Sequence, residues 1–227
     1  MSEMIDQEKL HQRHIPDGYR VERTPFRIVR PFIIQHHYSH GCHNGPTTYA
    51  LYDEDVMVGA CAFSTPCSEN VRGSVFGPGH VDRVTELSRL VLLDECPPNS
   101  ESWFVSRCLK LLKGDKPHLW AVISFADSTE GHDGTIYRAL NFRYCGMTST
   151  SKMFYRDETG RIRHPRQDGV NISRRMAEEM GWEVCRRGPK HRYVFFLGSP
   201  RQRRRLESIC LLQQLPFDVA GESWASD

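Results

Sequence analysis

Apolar residues recur along this chain with two periods, and the places where one gives way to the other outline the elements. Residues 1–24 keep no sustained period and read as an N-terminal arm. Residues 27–38 mix apolar and basic positions, and Pro31 suits the first turn of a helix over 32–38. Residues 41–46 are turn-rich. Residues 47–52 and 56–64 carry strand formers and join as a hairpin, with Gly59 and Ala60 small enough for close backbone approach. Residues 68–80, with three glycines and Pro78, read as loop. Residues 84–93 predict a strand, and 100–113 a helix from the spacing of Trp103, Phe104, Cys108, Leu111 and Leu112. A compact apolar strand at 119–125 and a short helix at 135–140 follow, then strands at 142–147, 153–155 and 193–197. Helices over 172–180 and 202–212 complete the pattern.

Hairpin, strand, helix, strand, helix, strands is the order of an α/β domain with a mixed sheet. The 227 residues fit one elaborated domain: an arm at 1–24, a catalytic domain at 25–200, and a C-terminal helix and tail at 201–227. No apolar run approaches the roughly 18 residues a membrane span needs, and the N-terminus has no apolar signal core, so a cytoplasmic protein with no membrane partner is expected. The eight cysteines include no C-x-x-C pair and are expected to be reduced. Charge changes the picture more. Residues 161–205 hold thirteen Lys/Arg against four acids, whereas 1–160 hold 17 against 20. A basic C-terminal extension with Trp182 and Tyr193 interleaved is suited to phosphate contact and base stacking, and makes DNA the expected partner. A solvated basic surface is the alternative. Oligomeric state stays open, a homodimer included.

Chemistry-bearing residues cluster in two places. Ser124 and Asp127 end an apolar strand, where open α/β sheets place ligands. Asp127 is suited to accept from an exocyclic amine or to act as base, and Ser124 to position a base edge or acyl carbonyl. His36, His37, His40, Cys42 and His43 form a dense group. On a helix His36 and His40 would share a face, a spacing that permits iron or zinc; a substrate-contacting patch of His36, His37 and Tyr38 is the competing reading. His132, between Gly131 and Gly134, sits where substrate and backbone can approach closely. Glu86 and Arg89 are expected on opposite faces of their strand.

Two resemblances bear on these residues. Glu86-Leu87-Ser88-Arg89-Leu90-Val91-Leu92 and Tyr137-Arg138-Ala139-Leu140-Asn141-Phe142 resemble the coenzyme A half of the GNAT N-acetyltransferase family, with Asn141 where that family has glycine. The resemblance implies a GNAT-like fold, a mixed central sheet with flanking helices, and acetyl-CoA or a related acyl donor as cofactor. It implies donor contacts from Leu90, Val91 and Leu92 along the strand, and from Asn99, Ser100 and Ser102 at a helix N-terminus, where unpaired N–H groups suit pyrophosphate. It also makes Tyr137 a general acid toward the departing thiolate. The usual glycine-rich loop is Asn99-Ser100-Glu101-Ser102 here, and Glu101 opposes an anion.

His36-His37-Tyr38-Ser39, Glu101-Ser102-Trp103-Phe104, Ser124-Phe125-Ala126-Asp127 and the 131–137 segment, with Glu86–Leu90 and Lys190–Tyr193, are similar to the phage Mom family. That resemblance implies an enzyme that converts the N6 amine of adenine in DNA to a carbamoylmethyl derivative and protects phage DNA from restriction in the host cytoplasm. Arg89 and His132 join His36, His37 and Tyr38 as its expected substrate contacts. Two other functions fit the same residues: acetylation of a small-molecule or protein amine, and non-catalytic DNA binding on a GNAT scaffold.

Overall fold

The computed structural model describes residues 15–42, 45–66, 68–128, 134–148, 152–163, 165–167 and 170–217. Its centre is a seven-stranded sheet in the order β1-β2-β3-β4-β5-β12-β6. The strands are β1 (Tyr19–Arg23), β2 (Thr47–Asp53), β3 (Val56–Ser64), β4 (Val84–Leu92), β5 (Ala121–Asp127), β6 (Arg143–Met147) and β12 (Lys190–Phe196). Neighbours run antiparallel except β4 and β5, which are parallel and joined by the helix α3 (Ser100–Asp115). A parallel pair needs such a crossover, so the strand–helix–strand pattern at 84–127 is what makes the sheet mixed.

Both faces are covered, which explains why β5 is buried at every position but Phe125. Phe104, Val105, Cys108 and Leu112 of α3 pack on one face with Val122, Phe142 and Tyr193. Across the sheet, Val29 and Ile33 of α1 (Phe26–His36) lie on Ala50, Ala60 and Ala62, whose small side chains let the helix approach. Val75 and Phe76 of α2 (Glu69–Phe76) lie on Val84, Ile123 and Val194. The fold is thus the α/β arrangement with a mixed central sheet and flanking helices that the sequence predicts.

Boundaries depart from expectation where tertiary packing outweighs local signals. Residues 19–23, placed in an arm, pair with β2 from Tyr19↔Asp53 to Arg23↔Tyr49 as an edge strand. Pro31 lies inside α1 rather than at its start; one lost backbone bond is offset by burial of Val29 and Ile33. The expected loop at 68–80 holds α2 and a 3₁₀ turn at Pro78–Arg83, because Val75 and Phe76 find an apolar face despite Gly73. The last helix, α6 (Pro200–Ser208), begins at a capping box formed by Ser199 and Gln202. Beyond it the chain is not a free tail as far as residue 217: Leu215 bridges to Tyr144, and Phe217 stacks on Tyr193 at 6.0 Å.

Between β6 and β12 the basic segment folds as its own small layer. It holds a three-stranded sheet of β7 (Lys152–Arg156), β8 (Ile162–Arg163) and β11 (Glu183–Arg187), the hairpin β9 (Arg166–Gln167) and β10 (Val170–Asn171), and the helix α5 (Arg174–Glu179); the short helix α4 (Thr135–Ala139) lies before β6. Asp157 ties the β7–β8 turn. Its carboxylate accepts from Thr159 Oγ1 (2.6 Å), the Thr159 and Arg161 amides, and Arg163 Nε (2.6 Å). The Thr159 hydrogen bond, with Arg163 and the amides, holds this carboxyl down at about 2. A depressed carboxyl stabilises the folded chain above its unfolded pKa of about 3.9, and that contribution fades as pH falls through about 2. Asp157→Asn is therefore expected to lower the thermal midpoint at pH 7. It should also flatten the midpoint's fall between pH 4 and 2, as followed by circular dichroism.

Candidate active site

β4 and β5 share a ladder for three residues only, Val84↔Ala121, Thr85↔Val122 and Glu86↔Ile123. Beyond it β4 follows β3 out to Leu92, and β5 follows β12 out to Asp127↔Lys190. One residue, Ser88, is extra in β4: Ala62 faces Arg89 and Phe63 faces Leu87. Such a bulge bends the strand and strengthens its twist. A cleft of about 280 Å³ opens where the strands part, lined among others by Leu87, Leu90, Phe125, Asp127, Tyr137 and Tyr38.

At the apex, Ser124 Oγ donates to the Leu87 carbonyl (3.1 Å) and stands 2.8 Å from the Tyr137 hydroxyl. Ser124 has one proton and the carbonyl only accepts, so Tyr137 donates to Ser124. Tyr137 comes from α4, and its ring stacks on Tyr193 at 4.7 Å and leans on Phe142 at 5.2 Å. Burial pushes the Tyr137 phenol up to about 12, against the opposing Ser124 hydrogen bond, with small additions from Tyr38, Cys61 and Glu86. The group is a protonated donor at neutral pH.

Asp127 is buried at the end of β5, and Lys190 Nζ lies 2.9 Å from its carboxylate. His37 is buried at the end of α1; its Nδ1 accepts from the Ser39 amide (3.1 Å), which leaves Nε2 to carry the proton of the neutral ring. Arg89 Nε donates to the Gly41 carbonyl (2.6 Å) and NH1 to Ser88, so this guanidinium clamps the 37–41 turn onto the bulge.

The structure brings Ser124, Asp127, Tyr137, His37, Tyr38, Arg89 and Leu90 to one cleft. Val91 turns its side chain to the α1 cluster and Leu92 packs beside the α3 core, though both lie on the strand that borders the cleft. Asn99 caps α3 in a left-handed conformation (φ 71) without a side-chain bond; Ser100 is buried, and Ser102 Oγ donates to Asn99. Glu101, in the first turn of α3, reaches the cleft. His36 is exposed and lies against Phe32. The metal premise for His36 and His40 fails, because α1 ends at His36, His37 is extended, and His40 has φ 45. Among the described residues no group of three His, Cys, Asp or Glu is placed to hold a metal. His132 and His43 lie outside the described residues. Glu86 and Arg89 do not oppose each other: the Ser88 bulge shifts the alternation, so both follow Ser64 and Ala62 onto the α1 face. Sequence reading missed that bulge, the Lys190 pairing and the role of Gly134.

A split parallel pair with a tyrosine hydroxyl at its apex is the candidate active site of this mixed α/β sheet. A family model described as the Mom protein family matches residues 18–217, and the chain belongs to that family. The methylcarbamoylase mom of Escherichia phage Mu is 28% identical over 196 residues, covering 83% of this chain and 79% of that one. Among solved structures, a spermidine N-acetyltransferase from Vibrio cholerae (10% identity, 80% of this chain and 95% of that one) superposes with a TM-score of 0.46. A ribosomal L7/L12 α-N-protein acetyltransferase in complex with coenzyme A (6%, 81% and 97%) gives 0.47. Membership rests on the sequence match. Among the described residues no helix is long and apolar enough to cross a membrane.

Gly134 sets the position of α4. It has φ +82, and a Cβ there would lie 2.3 Å from the buried Tyr193 hydroxyl oxygen. Gly134→Ala combines a left-handed penalty with overpacking, together about 2–5 kcal/mol. Chemical denaturation should show that loss, and the ring contact of Tyr137 with Tyr193 should be disturbed with it.

Proposed function

We propose that the chain is a DNA-modifying transferase of the Mom type that modifies the N6 amine of adenine in DNA, with acetyl-CoA or a related acyl donor in the cleft. A carbamoylmethyl product (–CH2–CO–NH2) requires a donor that brings the amide nitrogen and bonds to N6 through its methylene, which acetyl transfer alone does not supply. The observation that carries this reading is the cleft at the parting of β4 and β5, with the Tyr137 hydroxyl at its apex, in a chain of the Mom family. The name of the phage Mu relative, methylcarbamoylase, supports transfer of a small amide-containing group.

The residues fit such a donor. From Leu87 onward β4 has left the β5 ladder, so its backbone borders the cleft and can pair with an extended pantetheine arm. Asn99 provides no side-chain cap, which leaves first-turn amides of α3 for a pyrophosphate, and Glu101 is the one opposing charge in that turn. When bound, an acyl-CoA would supply the activated acyl group, with coenzyme A leaving as the thiol. The chain's own part is to donate a proton from Tyr137, held in place by Ser124, and to orient the acceptor amine. Asp127, charged beside Lys190, serves as a hydrogen-bond acceptor for that amine.

DNA contact through the basic C-terminal face belongs to the same proposal, and the ion pairs narrow it. Arg163 is taken by Asp157, and Arg174 and Arg175 by Glu178 and Glu179 within α5. Arg201, Arg204 and Arg205 of α6 are exposed and suited to phosphate. An adenine amine within a duplex is reached only by extruding the base or acting on exposed strands. The enzyme would act where phage DNA is found, in the host cytoplasm, and protect it from restriction.

Mass spectrometry of nucleosides from DNA of cells expressing the chain tests the reading. A modified deoxyadenosine is expected with wild type, and about 10²-fold less or lower with Tyr137→Phe. Unmodified deoxyadenosine with turnover of acyl-CoA on small amines would select the amine acetyltransferase instead. A second prediction concerns pH. Because Tyr137 is raised to about 12, its proton stays on throughout the neutral and mildly alkaline range. The rate should therefore show no alkaline limb from this group up to about pH 10; an inflection near the ordinary tyrosine value of about 10 that Tyr137→Phe abolishes would contradict the burial-raised value.

A further inference from the structure

Tyr38 is a large aromatic at the cleft that the folding of the core does not require, being 45% exposed. The rings of Tyr137, Phe142 and Tyr193 hold each other in the core, and Phe125 packs toward the α2 side of the sheet. Tyr38 instead rests on a support. Its ring stacks on His37 at 4.3 Å and 29°, and His37 is buried with its ring fixed by the Ser39 amide and hydroxyl. The turn that carries both is pinned to β4 by Arg89 at the Gly41 carbonyl. One side of the Tyr38 ring is therefore backed, while the side chain borders the cleft and stays substantially solvent-exposed. A rigid aromatic face costs little ordering on binding and accepts any flat π-system.

We propose that Tyr38, backed by His37, is the platform on which the acceptor base stacks when it enters the cleft. Arg89 is the positioning residue that holds the platform in register with β4. The inference rests on the reading of adenine in DNA as the acceptor. Stacking explains how the cleft can retain a base whose pairing partner has been lost, since each stacked base contributes without sequence readout.

Binding without any acyl donor separates this inference from the reaction. The probe is a short single-stranded oligonucleotide with one 2-aminopurine, compared with the same strand carrying an abasic position there. Wild type and Tyr38→Phe should quench the 2-aminopurine fluorescence and prefer that strand. Tyr38→Ala should bind it roughly tenfold to a hundredfold more weakly, lose the preference, and keep the same dependence on salt because no phosphate contact is removed. Thermal unfolding of Tyr38→Ala near wild type would show that the loss is local. The inference is overturned if Tyr38→Ala binds like wild type, if Tyr38→Phe loses as much as Tyr38→Ala, or if the loss is equal on the abasic strand. Stacking by a wild-type protein that leaves DNA nucleosides unmodified would support the platform and contradict the reaction. Modified DNA with stacking intact in Tyr38→Ala would do the reverse.

Discussion

One hydroxyl stands where the sheet divides. Two parallel strands that part after three residues leave backbone groups without their ladder partners, and a buried unpaired group costs about 1–3 kcal/mol. Ser124 answers for one of these by donating to the Leu87 carbonyl, and Tyr137 then donates to Ser124. The sheet is thus terminated by side chains at the point where closure of β5 onto β4 would otherwise continue. The cleft is a consequence of that substitution, and so is the position of the phenol within it.

The surrounding devices all keep that apex in place. The Ser88 bulge turns β4 away from β5 and brings Arg89 toward the end of α1. Gly134 lets the start of α4 lie directly against Tyr193, which carries Tyr137 to Ser124. Lys190 meets Asp127 because β12 continues to pair with β5 after β4 has left it. A proton donor, a charged carboxylate and an aromatic turn therefore come from three different parts of the chain to one opening.

Much of this was legible from residue patterns, because the strand–helix–strand unit at 84–127 is local and strongly periodic. Ser124 and Asp127 are legible from the apolar run that precedes them and Tyr137 from the resemblance of its helix to the GNAT pattern, although Ser124 lies in the middle of β5 rather than at its end. Their mutual geometry is not legible, for it depends on pairings between distant segments. Leu87, Leu90 and Leu92 do depart from a period of two, and that departure is the trace a bulge leaves in sequence. His36 and His40 misled because nothing local marks the end of α1 at His36; burial of Val29 and Ile33 decides where the helix stays on the sheet. The helix α2 was hidden by Gly73 and stabilised by a face of the sheet that only the fold supplies.

The central claim is that the parting of β4 and β5 is the donor site. A crystal structure of the chain with coenzyme A tests it most directly. The account predicts the pantetheine arm along β4 from Leu87 toward Leu92, the pyrophosphate at the first turn of α3, and the thiol facing the Tyr137 hydroxyl. Coenzyme A bound elsewhere on the molecule, or β5 closed onto β4 beyond Glu86 with no room for it, would contradict the account.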